Sequence, residues 1–279
     1  MARDRAELGA FLRARRAQLT PAQAGIQEFP GPRRVPGLRR EELAVAAGLS
    51  PDYYSRVEQG RQANISREVL DALARVLRLD DVERAHLHDL AAPGRPVRAT
   101  GRPQRADPGL LRMVTALDHL PALILGRHSR ILARNDLLAA VLGHPMTPGT
   151  SLVRWLFQDP AARERIVNWP TFARATVAAL RRETARDPHD RATHRLIAEL
   201  RATDPLVAAW WDDHGVREYA SVVKHLRHPA AGDLHFDIEV MAAPHEPDQR
   251  LIVYTCPPES DTARLLPILA SWETPSLSR

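Results

Sequence analysis

Arginine gives this sequence most of its chemical character, and it is concentrated towards the N-terminus. Residues 1–106 carry 19 arginines and 13 acidic residues, whereas residues 107–279 carry 20 basic and 21 acidic residues. Guanidinium groups that neutralise phosphates release condensed counterions, so a basic segment beside a nearly neutral one suits a polyanionic partner. The charge pattern therefore predicts that the N-terminal part contacts nucleic acid, with a merely solvated basic surface as the alternative.

The elements that would position these arginines are short helices. Apolar residues recur at helical spacing with polar residues on the opposite side, and each predicted helix has a start or stop signal. The Pro- and Gly-rich segment 20–37 lacks this period and is predicted to be a loop. The sequence thus predicts an all-α N-terminal domain of five helices, at about 5–19, 38–47, 51–59, 67–77 and 82–90.

The second and third predicted helices have the lengths and spacing of a helix-turn-helix. Gly48 supplies the positive φ that the turn needs, and Ser50 caps the next helix with Pro51 at its first position. Tyr53 is then expected on the exposed side, where its hydroxyl either meets a DNA backbone or is simply solvated. The side chains predicted to hold the two helices together are Leu43, Ala46, Leu49, Tyr54 and Val57.

A second domain is predicted after a linker. Residues 93–107 are rich in Pro, Gly and Arg without an apolar period, which divides the chain into domains at 1–92 and 108–279. The second domain is predicted to be α+β, with a hairpin at 122–134, an antiparallel meander at 217–256 and helices between the two. Its five strands would form one sheet, and a helix at 262–272 would close the chain.

Several classes of protein fit the sequence poorly. No apolar run is long enough for a membrane span, and the charged N-terminus is unlike a signal peptide, so we expect a cytoplasmic protein without a membrane partner. The single cysteine, Cys256, excludes an intrachain disulfide and a multi-cysteine zinc site.

An enzyme is the rival interpretation of the C-terminal part of the chain. His225, His228 and His235 fall on a predicted hairpin and invite a metal site, yet no His-Glu-x-x-His, phosphate-binding loop or nucleophile elbow occurs. We therefore expect no catalytic residue, metal or cofactor. A catalytic, or a purely structural and dimerising, C-terminal domain stays the alternative.

The motifs resemble a known family. The segment LRREELAVAAGLSPDYYSRVEQGR at 38–61 resembles the Xre-type, lambda-repressor-like helix-turn-helix, and with its flanks LGAFLRARR and VLDALARVLRLDDVERAHLHDLA it resembles the MmyB-like transcription regulators. The similarity continues in LILGRHSRILARND, WLFQDPAARERIVNW, LRHPAAGDLHFDIEV and DQRLIVYTCPPES. It therefore covers nearly the whole chain.

The resemblance implies sequence-specific binding of double-stranded DNA, with two half-sites read by a homodimer. Base edges would face Pro51, Asp52, Ser55 and Arg56, of which only Arg56 can pair bidentately with guanine. Asp52 either accepts from a cytosine amine or only caps its helix. The resemblance implies phosphate contacts for Arg39 and Arg40, and Gln59 and Arg61 could make the same contacts, with solvent exposure without contact as the alternative for each arginine. Arg33 and Arg34 are candidates for an arm to the backbone or minor groove, and Ser50 and Tyr53 complete the DNA-binding candidates.

The resemblance also implies a PAS-like C-terminal domain that binds a small apolar ligand, with fatty acids as an associated class. Large apolar side chains either line such a pocket or fill the core. The apolar candidates are Trp155, Trp169, Phe172, Trp211, Tyr219 and Phe236. A carboxylate on the ligand would need a basic partner, for which the candidates are Arg163, Lys224, His225 and Arg227.

Overall fold

The computed structural model describes residues 2–30, 35, 37–62, 64–92, 104–215, 223–243 and 246–271. The chain forms two compact units, here called unit 1 and unit 2. Unit 1 consists of Met1–Ala99 and Val177–Arg217, and unit 2 consists of Thr100–Thr176 and Glu218–Arg279. A segment of the predicted second domain therefore clusters with the N-terminal helices, and the domain boundaries at 92 and 108 stay a prediction.

Helices dominate unit 1 and flank a sheet in unit 2. Along the described residues the helices are α1 Ala2–Gln18, α2 Pro21–Ala24, α3 Arg40–Ala46, α4 Pro51–Glu58, α5 Arg67–Val76, α6 Asp81–Ala91, α7 Pro108–Ala116, α8 Asp136–Leu142, α9 Leu152–Gln158, α10 Pro160–Arg165, α11 Trp169–Arg186, α12 Arg191–Thr203, α13 Pro205–Asp212 and α14 Asp261–Ser271. The strands are β1 Ala122–Leu125, β2 Ile131–Arg134, β3 Val223–His228, β4 Gly232–Ala243 and β5 Glu246–Thr255.

Local capping residues explain where several helices begin. The Ser50 hydroxyl accepts a hydrogen bond from the Tyr53 N–H at 3.2 Å, and Ser66 accepts from the Val69 N–H at 3.4 Å. Asp80 forms a reciprocal capping box with Glu83 at the start of α6. These caps satisfy N–H groups that have no partner inside the helix, which is why sequence alone locates them.

The segment predicted as a loop at 20–37 contains the short helix α2. Thr20 and Gln23 form a capping box, Pro21 occupies the first helical position, and Gly25 ends the helix with a φ of 71°. Proline suits this position because its missing N–H would lack a helical partner there anyway. The prediction was wrong here because Pro and Gly were interpreted only as loop signals, whereas they also begin and end helices.

The core of unit 1 joins α1 to the helices that follow it. Leu8, Phe11 and Leu12 of α1 are buried, as are Leu43 of α3 and Leu73 of α5. Such burial contributes roughly 25 cal/mol per Å² of apolar surface removed from water. The core therefore supplies the apolar energy that holds α3 and α4 on this set of helices.

Unit 2 contains a five-stranded antiparallel sheet with the order β2-β1-β5-β4-β3. This confirms the predicted hairpin, the meander and the placement of helices between the second and third strands. The hairpin and the meander meet through β1 and β5, with Leu123 opposite Ile252. All four residues of β1 are buried, which fits a central strand covered on both faces. Among the described helices, none combines the length and apolarity that crossing a bilayer requires.

Candidate nucleic-acid interface and ligand site

Helices α3 and α4 meet through a sharp turn and a shared apolar face. Gly48 adopts a φ of 71°, which L-residues with a side chain rarely adopt. Leu43, Tyr54 and Val57 are buried as predicted. Ala46, also predicted to be buried, is exposed, and Ala44 takes the inner position two residues earlier. The inner face of α4 is thus committed to the core.

The outer face of α4 carries the residues expected at base edges. Asp52 and Arg56 lie one turn apart, with side chains 81% and 51% exposed and 3.4 Å between Oδ2 and Nη1. Pro51 is exposed, while Tyr53 and Ser55 are partly buried. An exposed guanidinium held by an i,i+4 carboxylate is restrained in direction yet accessible to a partner. Arg56 therefore combines accessibility with the fork of donors that a guanine edge accepts.

Polar residues continue this surface at both ends of α4. The Gln59 amide donates to the Ser55 hydroxyl at 3.1 Å, and Arg61 is exposed directly after the helix. Ser50, at the opposite end, is exposed beside its capping hydrogen bond. These residues border the same outer face as Arg56.

The arginines at the start of α3 are both bound within the protein. Arg40 donates from Nε to Glu58 Oε1 at 2.9 Å while its side chain is 43% exposed. Arg39 donates from Nη1 to the Pro30 carbonyl at 3.2 Å, and its backbone N–H donates to Glu42 Oε2 at 2.7 Å. A phosphate contact by either side chain would share or replace these bonds. Arg33 and Arg34, the predicted arm, lie outside the described residues.

Glu58 was not singled out by the sequence. Its side chain is fully buried and receives two hydrogen bonds from Arg16 of α1, in addition to the one from Arg40. Burial alone would raise the pKa of Glu58, but the hydrogen bonds and charge of Arg16, followed by the hydrogen bond of Arg40, outweigh it and lower that pKa. Burial, reinforced by the nearby Glu58 charge, raises the pKa of the neighbouring Tyr54 hydroxyl. Glu58 therefore stays ionised and links α1, α3 and α4.

In unit 2, one basic candidate lies among aromatic side chains. Lys224 of β3 is fully buried, and its Nζ donates to the Tyr254 hydroxyl at 2.8 Å. The same nitrogen lies 4.3 Å from the ring centroid of Phe172, 5.0 Å from that of Tyr254 and 5.6 Å from that of Trp155. Phe236 pairs with Lys224 across the sheet and packs against Tyr254 at 5.7 Å between centroids. We call Lys224, Tyr254, Phe172, Trp155 and Phe236 the lysine cluster.

Two polar groups of the lysine cluster, the Lys224 ammonium and the Trp155 indole N–H, are buried in an apolar environment. Burial lowers the pKa of Lys224 to about 7, because a low-dielectric environment disfavours the ammonium form. The indole Nε1 of Trp155 is buried and has no hydrogen-bond partner among the residues that the structure describes. Among the described residues Lys224 forms no ion pair, and a buried ammonium without one, like an unsatisfied N–H, is costly in a protein interior.

The remaining ligand candidates lie apart from the lysine cluster. Strand alternation turns His225 and Arg227 to the opposite face of β3 from Lys224, where both face Asp233 at 3.7 and 3.2 Å. In a separate contact, Arg163 stacks on Trp169 with its Cζ 3.9 Å from the ring centroid. Trp211 belongs to unit 1, and Tyr219 lies outside the described residues. The structure thus brings together Lys224, Trp155, Phe172 and Phe236 from the predicted set and adds Tyr254.

The histidines on the β3–β4 hairpin do not gather around a common point. His225 and His235 stack with 3.9 Å between ring centroids, while His228 is bonded to the Ala140 carbonyl at 3.1 Å. Within the described ranges, no group of three or more His, Cys, Asp or Glu side chains is placed to hold a metal ion.

Two family models match this chain, one towards its N-terminus and one towards its C-terminus. Residues 7–87 match a helix-turn-helix domain, and residues 106–269 match the MmyB-like transcription regulator ligand binding domain. A search of curated proteins finds no match. The first match includes α3 and α4, which confirms the predicted helix-turn-helix, and the second includes every residue of the lysine cluster.

Proposed function

Because the chain belongs to the MmyB-like transcription regulators, we propose that it reads specific duplex DNA with the outer face of α4 and that a small apolar acid bound in unit 2 controls this binding. The observation that carries the first half is the division of α4 into two faces. Tyr54, Val57 and Glu58 fix its inner face, while Arg56 stays exposed on the outer one. A rigid helix that presents an accessible guanidinium is what major-groove readout requires.

The contacts are proposed to divide by role. Arg56 specifies a base, since two parallel hydrogen bonds to one guanine discriminate by about 1 to 3 kcal/mol. Arg61, Gln59 and the hydroxyls of Ser50 and Tyr53 fix the register through phosphates, which carry no sequence information. One short helix buries too little surface for specificity, so we propose that two copies read two half-sites about 34 Å apart.

A selection from random duplexes tests the DNA half of the proposal. We expect the full chain to enrich an inverted repeat whose half-sites lie about one helical turn apart, with guanine at the position that Arg56 reads. A single enriched half-site would contradict the dimer. No enrichment at low ionic strength would contradict DNA reading altogether.

For the ligand, we propose an acid with an apolar body whose head group meets Lys224. The carboxylate would supply a counter-charge beside the buried ammonium and could accept from Trp155 Nε1, which has no hydrogen-bond partner in the described part of the chain. Phe172, Phe236 and Tyr254 would contact the apolar part. A fatty-acid-like molecule has this chemistry, because it combines one anionic end with a chain that gains from burial.

Mass spectrometry of the natively purified chain tests the ligand half. We expect a co-purifying acid that is lost in Lys224→Met but retained in Arg227→Met, which alters an exposed cation on the opposite face of the same strand. Equal retention by both variants would contradict the role of Lys224. Loss of the acid from both variants would also contradict it, because binding would then not depend on the face of β3 that carries Lys224.

Control of DNA binding requires that the ligand favours one arrangement of the two half-site readers over another. We therefore expect operator affinity to differ between acid-loaded protein and protein stripped of acid. Identical affinities would instead favour a constitutive DNA-binding protein with a structural C-terminal domain.

A further inference from the structure

Unit 1 contains a cavity that the proposed function does not use. It lies between α1 and α6 on one side and α12, α13 and the part of α11 from Val177 onwards on the other, with a volume of about 120 Å³. An engineered cavity of roughly 150 Å³ holds benzene, so this space suits about five or six non-hydrogen atoms. Its apolar wall is formed by Phe11, Leu90, Ile197 and Trp211.

Arg181 is a buried cation in this wall that forms an ion pair with Glu7 but no hydrogen bond to it. Its side chain is only 4% exposed, and the Glu7 carboxylate lies 3.6 Å from its Nη1, beyond hydrogen-bond distance. Nη1 lies 3.0 Å from His214 Nδ1 and Nη2 donates to the Trp211 carbonyl. Nε is buried and has no hydrogen-bond partner within the described ranges. Burial lowers the pKa of Arg181 to about 10, which leaves the guanidinium charged near neutral pH. The ion pair with Glu7 offsets part of the cost of burying this charge, while Nε keeps a donor for a further acceptor.

His86 adds a second unsatisfied polar group. It is 2% exposed, its ring meets Phe11 edge to face at 5.1 Å, and no described residue forms a hydrogen bond with its Nδ1. Burial, followed by the positive charges of Arg181, Arg182 and Arg15, lowers the pKa of His86 to about 3. The ring is therefore neutral, and the charged residues that line the cavity are Arg181, Arg201 and Glu7.

We propose that this cavity binds a small organic anion, namely a monocarboxylate with a short apolar body. Arg181 Nε and the Nδ1–H tautomer of His86 donate to the carboxylate, while Phe11, Leu90 and Ile197 contact the body. The site is separate from the lysine cluster, which lies in unit 2. An occupant would contact α1 and α6 as well as α12 and α13, and would stabilise that arrangement in proportion to its affinity.

Titration of the full chain with butyrate tests the proposal, with n-butanol and butylammonium as neutral and cationic probes of the same size. By NMR we expect saturable shifts of His86, Leu90 and Trp211 with butyrate, and at least about ten-fold weaker binding of the other two probes. Equal binding of butanol would overturn the anion selectivity. No saturable butyrate binding at these residues would overturn the site.

Variants separate the cavity from other cationic surfaces. Arg181→Met removes the donor, and Ala198→Phe fills the cavity mouth without changing the charge. We expect each to weaken butyrate binding at least about ten-fold, and Arg264→Met, on an exposed pair with Asp261 in unit 2, to leave it within about two-fold. Lys224→Met is also expected to leave it unchanged, so loss of the unit 2 ligand would not mimic failure here. Unchanged binding in folded Arg181→Met or Ala198→Phe would overturn the proposal.

Discussion

Arg16 and Glu58 form a buried ion pair with two hydrogen bonds, Nε to Oε2 at 2.9 Å and Nη2 to Oε1 at 3.1 Å. Arg16 also donates from Nη1 to the Leu38 carbonyl at 2.6 Å, just before α3. The pair therefore connects α1, the entry to α3 and the end of α4. The orientation of the proposed DNA-reading face depends on a contact that points away from that face.

Glu58→Gln is expected to destabilise unit 1 by about 3 to 5 kcal/mol, because it leaves the buried Arg16 charge uncompensated. Urea unfolding followed by circular dichroism measures this loss. Glu41→Gln, an exposed acid in the first turn of α3, serves as the control and should cost no more than about 1 kcal/mol. Equal losses in the two variants would contradict the structural role of the pair.

The free energy of unfolding is also expected to decrease as the pH is lowered, and this decrease should begin at a higher pH than the titration of the carboxylates. Unfolded histidine takes up a proton near pH 6.5, whereas the pKa of His86 is lowered to about 3 in the folded chain. As the pH decreases from 6.5 towards 3, the unfolded state binds a proton that the folded state does not bind. This difference lowers the free energy of unfolding by up to about 1.4 kcal/mol per pH unit. The lowered pKa of Glu58 adds a further loss below its unfolded value of about 4.3.

His86→Phe isolates the histidine contribution. It keeps an aromatic ring against Phe11 and removes the titrating group. We expect urea midpoints between pH 6.5 and 5 to vary less with pH than in the parent chain, and the exposed substitution His119→Gln to change nothing. An identical pH dependence in all three proteins would refute this explanation.

The parts of the structure that follow local rules could be predicted from the sequence. Ser50, Ser66 and Asp80 cap helices through neighbours three residues away, and Gly48 turns the chain by its own φ. The five strands follow from apolar runs separated by turn residues. Strand alternation in β3 would also have separated Lys224 from His225 and Arg227, although the prediction treated all three as equivalent candidates.

Contacts between distant residues could not be predicted in this way. Arg16 and Glu58 are separated along the chain by all of α3, and either could equally have been a solvated surface charge. Lys224 of β3 reaches Tyr254 of β5 across the intervening strand β4, so their contact depends on the order of the strands in the sheet. The clustering of residues 177–217 with the N-terminal helices likewise depends on packing that no local pattern encodes.

Phosphate contacts are best tested at Arg61. Arg40→Ala would remove a hydrogen bond to buried Glu58 as well as a cation, so its effect on DNA would be mixed with lost stability. Arg61→Ala changes an exposed side chain directly after α4 and is expected to weaken binding equally on specific and random duplexes. The slope of log K against log salt should decrease in magnitude by about 1. A loss confined to the specific duplex would reassign Arg61 to base readout.

Whether the outer face of α4 reads base edges can be measured from the binding of Arg56→Ala to duplexes that differ at single base pairs. Affinities of this variant and of the exposed control Arg67→Ala would be measured on the selected duplex, on its single-base variants and on random DNA. We expect Arg56→Ala to lose about 1 to 3 kcal/mol on the selected duplex and to stop discriminating at one base position, and Arg67→Ala to retain both affinity and discrimination. Equal losses of Arg56→Ala on selected and random DNA, with discrimination intact at every position, would contradict base readout by this face.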